Sequence, residues 1–302
     1  MKVYFIVNPI AGKGKGKEFM EQAIHFMRDR NVQWEIAYTQ YPGHAIELAS
    51  QVDDNLYSKV VSVGGDGTIY EIINGLKDKS ISLGIIPAGT GNDLARSVHI
   101  PLDKQEALRV IFDGNEKQMD IGNMEEHRFV NVAGVGLDVE VLRCTEFFKK
   151  FVKGSIAYVL GLLKALFTFK AIELNISIDG VMHHEEVMLC AIANGQYYGG
   201  GMKIAPTADV GDGYFDIYLI TKLSKLKLLF LFPRVFKGSH IDLPWVKTFR
   251  GKKVTITSKE EIWVNADGEI SKKHSPTFEI IEKGLKVSVA QEMSLMAQPA
   301  DQ

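Results

Sequence analysis

The sequence predicts an α/β domain built on a parallel sheet over residues 1–120. A mainly antiparallel, sandwich-like β domain follows over residues 121–292, with a polar tail at 293–302. Three observations predict this. At 302 residues the chain is long for one core and suits two domains of ordinary size. In its first third, short continuous apolar runs alternate with helical periodicity, the pattern of buried parallel strands covered on both faces. Past Met119 that rhythm stops and strand signals dominate.

Taken in order, Val3 to Val7 is an apolar strand ending at Asn8-Pro9 and a glycine loop. A helical pattern follows, with Phe19, Ala23, Phe26 and Met27 on one face. Trp34 to Tyr38 predicts a strand, His44 to Val52 a helix and Val60 to Val63 a strand. Thr68 to Leu76 predicts a helix and Leu83 to Ile86 a strand, which makes the first domain Rossmann-like. In the second domain, strands are predicted at Phe129 to Val135, Ile172 to Ile178, Val187 to Ala193, Phe215 to Ile220, Lys253 to Thr257 and Phe278 to Ile281. Asp179-Gly180 is a hairpin signal between two such runs. Helical stretches at Ile156 to Phe169 and Leu223 to Phe236 interrupt, and the C-terminal segment of this domain can pack back on the first.

Composition narrows the function. With 46% apolar and 24% charged residues the chain is globular rather than disordered. A net charge of -2 and the lack of a long basic run argue against a nucleic-acid partner. Cys144 and Cys190 are far apart, which fits a reducing compartment. The N-terminal apolar run is too short for a signal peptide, and no window reaches the roughly 18 apolar residues of a membrane span. A cytoplasmic protein is expected.

Three glycine-rich turns follow strands of the first domain, at the edge where ligands of open α/β sheets collect. The first, Asn8 to Lys17, matches neither the Walker A spacing nor G-x-G-x-x-G. It reads as a solvated loop or as a lysine-bearing place for phosphate before a helix. The second is Gly64-Gly65-Asp66-Gly67-Thr68, where glycines let the backbone approach a ligand. Thr68 and Glu71 have capping-box spacing and put a helix start at this turn. An aspartate there suits an organiser of Mg²⁺, or else a stabilising acid at a helix N-terminus. The third is Pro87-Ala-Gly-Thr-Gly-Asn-Asp-Leu-Ala-Arg96, with Thr90, Asn92 and Asp93 as polar contacts. Two such turns on neighbouring strands, each with an aspartate, point to a nucleotide and its metal. In the second domain, Asp267-Gly268-Glu269 is a turn or a pair of acids that divide metal and proton tasks. Asp209 and Asp212 are open to the same turn reading.

Gly64-Gly-Asp-Gly-Thr68 together with Pro87-Ala-Gly-Thr-Gly-Asn-Asp93 resembles the diacylglycerol kinase catalytic-domain family, in particular its bacterial soluble lipid kinases. Residues 1 to 290 are covered, and Asn8-Pro9 with Gly12-Lys13, and Thr39 with Pro42-Gly43-His44-Ala45, are similar to the family's loops. The resemblance implies a two-domain fold with the active site in the cleft between domains. It implies that Asn8, Thr39, Gly64, Gly65, Asp66, Gly67, Thr68 and Thr90 contact ATP, and that Asp66 and Asp120 hold a magnesium network. Asn265-Ala-Asp-Gly-Glu269 is similar to the catalytic motif, which implies Glu269 as proton acceptor from a lipid hydroxyl with Asp267 beside it near the metal. Pro206 to Tyr214 is similar to a structural magnesium loop, implying Asp212 as ligand with backbone oxygens near Asp209 and Tyr214.

The function expected is transfer of the γ-phosphate of ATP to a lipid hydroxyl, with diacylglycerol as acceptor. A soluble-substrate kinase of the NAD-kinase type shares the Gly-Gly-Asp-Gly-Thr turn, but its next glycine motif differs. A non-catalytic sensor would not need Asp66, Asp267 and Glu269. A lipid kinase without a span must dock at the inner face of the membrane. Ser155 to Lys170 and Lys222 to Lys237 mix Leu and Phe with Lys or Arg, as interfacial helices do, or they cover the β core. An exposed sheet edge could pair two chains as a homodimer.

Overall fold

The computed structural model describes residues 1–291 except Lys15, Asp78, Lys153 and Gly154, so the tail expected after Met293 lies outside the described residues. The chain forms two compact units, residues 1–121 with the segment from Glu282 onward, and Gly122–Ile281.

The first unit is an α/β layer structure. Its elements are β1 (Lys2–Val7), α1 (Gly16–Asp29), β2 (Gln33–Tyr38), α2 (His44–Ser50), β3 (Lys59–Gly64), α3 (Asp66–Gly75), β4 (Ser82–Pro87), α4 (Asp93–Ser97), α5 (Lys104–Asp113) and most of β5 (Asn115–Met124). β1 lies between β2 and β3, and β3 pairs with β4, all parallel. β3 and β4 are buried along their whole length, as strands covered on both faces must be, and so they are mostly apolar, Val60, Val61 and Val63 in one and Leu83, Ile85 and Ile86 in the other, with only the small Ser62 and Gly84 between them. Lys59 of β3 is buried at the far end from the glycine turns. Its ammonium donates to Glu116 at 2.7 Å and to Ser288 at 2.9 Å.

The second unit is a β sandwich with helices on one outer face. It contains β6 (His127–Phe129), β7 (Val132–Gly136), α6 (Leu137–Lys149), α7 (Ser155–Thr168), β8 (Ile172–Ile178), β9 (Val181–Ala193), β10 (Phe215–Thr221), α8 (Lys225–Lys237), β11 (Val246–Gly251), β12 (Lys253–Thr257), β13 (Ile262–Ala266), β14 (Glu269–Lys273) and the first part of β15 (Thr277–Val289). The end of β15, at Lys286 and Val287, pairs in parallel with β4 of the first unit's own sheet. β9 is the spine of the second unit and pairs antiparallel with β7, β8 and β10. Beyond a bulge at Met188, alternation sorts its side chains: Cys190 and Ile192 enter the sandwich core with Phe215, Ile217 and Phe278, as Val187 does before the bulge. Leu189, Ala191 and Ala193 face a second core shared with Leu162 and Leu166 of α7 and Leu228 and Leu231 of α8. The Asp179-Gly180 hairpin forms with both residues at positive φ.

Two expectations change. The capping box at Thr68 does not form, because α3 begins two residues earlier with Gly65 as its N-cap. Glu71 instead accepts the amides of Gly43 and Ala45 at 2.9 and 3.0 Å and so caps α2. The strand expected from Phe129 to Val135 is broken between β6 and β7, where three consecutive amides turn to a carboxylate instead of a strand.

Candidate active site

In the first unit, Asn8, Thr39, Gly64 to Thr68 and Thr90 all lie at or just past the carboxyl ends of parallel strands β1 to β4. The Thr39 amide donates to the Val7 carbonyl at 2.9 Å, which ties the end of β2 to the start of the first glycine loop. Asn8 donates from its side chain to Thr68 Oγ1 at 3.4 Å and accepts the Ile10 amide at 3.1 Å. It thereby joins that loop to the first turn of α3.

The second and third turns pack backbone against backbone. A Cβ placed on Gly89 would lie 2.5 Å from the Gly65 Cα, and one on Gly65 would lie 2.9 Å from the Gly89 Cα. Asp66 locks them together, with Oδ1 accepting the amides of Asp93 at 2.7 Å and Leu94 at 3.3 Å. Burial raises the Asp66 carboxyl above its usual range, opposed by these amides. Asn92, at positive φ, closes its own turn by accepting the Gly89 amide at 2.9 Å and donating to the Gly89 carbonyl.

Asp120 is buried in β5 and accepts the amide of Lys283 at 2.7 Å. Among the described residues no three His, Cys, Asp or Glu side chains form a metal cluster. Asp66 and Asp120 each offer a carboxylate, the kind of oxygen donor that suits an ion which keeps several waters and arrives on a nucleotide's phosphates.

In the second unit, Asp267-Gly268 is a two-residue hairpin turn between β13 and β14, both at positive φ. The Asp267 carboxylate accepts the amides of Val130 at 2.6 Å and of Asn131 and Val132 at 3.0 Å each. Its own amide donates to the Val132 carbonyl. The structure therefore makes Asp267 a clamp on the break between β6 and β7. Asn194 supports the same break by donating to the Val130 carbonyl at 2.8 Å. Glu269, the first residue of β14, is exposed, and its carboxylate has no partner among the described residues.

Sequence reasoning missed Asp138. It is buried in the first turn of α6 and accepts from Asn265 Nδ2 at 3.2 Å, while Asn265 Oδ1 accepts the Gly268 amide at 2.8 Å. Burial raises the Asp138 carboxyl to about 6, against the bond from Asn265. The only local signal was an acid two residues after Gly136, whose φ of 117° starts the helix without a capping side chain.

The Asp209 to Tyr214 loop closes on itself. Asp209 accepts the Gly211 amide and Asp212 the Tyr214 amide, each at 3.0 Å. The other oxygen of Asp212 pairs with Arg250, whose guanidinium also lies 4.9 Å from the Tyr214 ring centre. A guanidinium thus meets the carboxylate that the resemblance gives to a metal.

Residues 2–124 match the model of the diacylglycerol kinase catalytic domain, and residues 131–289 that of the YegS C-terminal NAD kinase beta sandwich-like domain. A diacylglycerol kinase of Staphylococcus aureus is 31% identical over 284 residues, covering 93% of this chain and 90% of the relative. A solved structure of a diacylglycerol kinase from Bacillus anthracis superimposes with a TM-score of 0.73 at 22% identity, over 95% of this chain and 96% of that one. Another solved chain from the same organism reaches 0.79 at 24% identity, over 95% and 97%.

Proposed function

This chain belongs to the diacylglycerol kinase family and is a lipid kinase that uses ATP, and on that premise we propose that its acceptor is the hydroxyl of diacylglycerol and its product phosphatidic acid. The acceptor is taken from the activity named for the Staphylococcus aureus relatives. The observation that most supports the nucleotide end is the joining of two glycine turns by Asp66 at the carboxyl ends of parallel strands.

In this reading Asn8, Thr39, Gly64, Gly65, Gly67, Thr68 and Thr90 hold the nucleotide, with the N-terminus of α3 supplying amides toward phosphate. Asp66 and Asp120 would hold the nucleotide's Mg²⁺, which when bound neutralises phosphate charge. Glu269 takes the proton of the acceptor hydroxyl as its oxygen bonds to the γ-phosphorus and the bond to ADP breaks. Its exposed, unpartnered carboxylate suits that task. Asp267 serves by holding the turn on which Glu269 sits.

The enzyme works at the cytoplasmic face of the membrane as a peripheral protein. No described helix is long and apolar enough to cross a bilayer. A second copy could pair along β2, which among the described residues has β1 as its one sheet neighbour.

The test is radiolabelled ATP with Mg²⁺ and a panel of vesicle-borne lipids, followed by chromatography of the organic phase. Label on diacylglycerol supports the reading. Label on phosphatidylglycerol or a sphingoid base replaces the acceptor, and label on NAD alone overturns it.

A further inference from the structure

Helix α8 has two apolar faces where one would cover the core. Leu228, Leu231 and Val235 are buried at spacings of three and four, packed into the second core with Tyr218 and Val246. The opposite side exposes Leu226 (75%), Phe230 (78%), Leu229 and Phe236. A helix lying on a sheet needs one apolar stripe, with polar residues outward.

Charge separates the occupants of that outer face. Between Asp216 and Asp242 the chain holds Lys222, Lys225, Lys227, Arg234 and Lys237 and no acidic residue. Lys222 pairs with Glu186, Lys225 donates to the Phe169 carbonyl, and Lys227 lies over the Trp245 ring. Arg234 and Lys237, in the last turn, are exposed and have no ion pair among the described residues. A second copy meeting this face about a two-fold axis would set the same cations against each other with no acid to answer them. An anionic surface meets both the charge and the apolar side chains. At 13 residues the helix can lie in an interface but cannot span one.

We propose that the outer face of α8 inserts into an anionic phospholipid bilayer. Leu226, Leu229 and Phe230 enter the headgroup–acyl boundary while Lys227, Arg234 and Lys237 meet lipid phosphates. The assignment deepens the lipid-kinase reading and rests on its acceptor residing in a bilayer.

Both native cysteines are buried, so a thiol-reactive, environment-sensitive fluorophore can be placed at Phe230→Cys, with Lys259→Cys on an exposed loop as control. Vesicles of phosphatidylglycerol and phosphatidylcholine, without ATP, should blue-shift the label at position 230, and brominated acyl chains should quench it. The control label should not respond. No response at position 230 on vesicles that sediment the protein would overturn the assignment. The pair Leu226→Glu and Phe230→Glu should weaken vesicle binding about tenfold or more. Phosphorylation of vesicle diacylglycerol should fall in parallel, with turnover of a dispersed short-chain diacylglycerol unchanged. A change in oligomeric mass with vesicle binding intact would instead make this face an interface between copies. If the unmodified protein phosphorylates no lipid while the label still responds, the acceptor falls and the docking face stands.

Discussion

Asn265 donates from Nδ2 to Asp138 Oδ2 over 3.2 Å, a contact that joins residues 127 positions apart. Through its own carbonyl oxygen Asn265 holds the Gly268 amide, one residue before Glu269. Asp138 thereby supports, through Asn265, the turn that presents the proposed proton acceptor. Asp138→Ala should lower kcat about 10- to 100-fold with little change in KM for ATP. Asp138→Asn, which keeps an acceptor for Asn265, should recover most of the loss. Equal kcat in the Ala variant and the parent protein would remove the positioning role.

The same side chain makes stability depend on pH. Burial pushes the Asp138 carboxyl up from the ordinary 3.8 of an unfolded chain to about 6 in the fold. Between those values the folded state keeps a proton that the unfolded state releases, so this group's contribution to stability falls as pH rises through the window. The loss is complete above about pH 6 and is on the order of 3 kcal/mol. Asp138→Asn should therefore gain stability over the parent as pH rises from 4 to 7. Urea unfolding at several pH values checks this, and a constant difference across that range would refute it.

Asp267 and Glu269 lie two residues apart and should fail differently. Glu269→Gln should abolish phosphoryl transfer with stability unchanged within about 0.5 kcal/mol, because its carboxylate is exposed and unpartnered. Asp267→Ala leaves three backbone amides without their charged acceptor and should cost about 2–4 kcal/mol. Paired activity and unfolding measurements separate the two, and an Asp267→Ala variant as stable as the parent would deny the clamp.

What the sequence disclosed follows from how local each signal is. The buried parallel strands were legible as short, mostly apolar runs, and the glycine turns because their residues adjoin. Strands β11 and β14 went unread because exposed Lys, Arg and Glu interrupt them. Helix α6 opens at a glycine with no capping side chain and places buried Asp138 and Thr145 among its apolar residues, so neither cap nor periodicity marks it. The clamp by Asp267 and the support from Asp138 connect residues more than 120 positions apart, and spacing along the chain carries no record of such contacts. The metal reading of Asp212 omitted Arg250, which reaches it from a strand 38 residues later.

Two glycines of the proposed nucleotide turns should answer differently to the same added methyl group. Neither Gly65 nor Gly89 needs a left-handed backbone; what each needs is room, since their Cα atoms meet face to face. Gly89→Ala drives the turns apart and strains the bonds from Asp66 to Asp93 and Leu94. It should cost about 1–3 kcal/mol, as overpacking does, and raise KM for ATP. A Cβ on Gly67, by contrast, meets nothing within 4 Å on the exposed side of α3. Gly67→Ala should leave the fold as stable or raise it by up to about 1 kcal/mol through helix propensity. Any loss of ATP affinity in that variant then reports the close approach of nucleotide to the backbone rather than damage to packing. Thermal unfolding with ATP titration on both variants checks the pair, and a Gly67→Ala protein with undiminished ATP affinity would remove Gly67 from the binding surface.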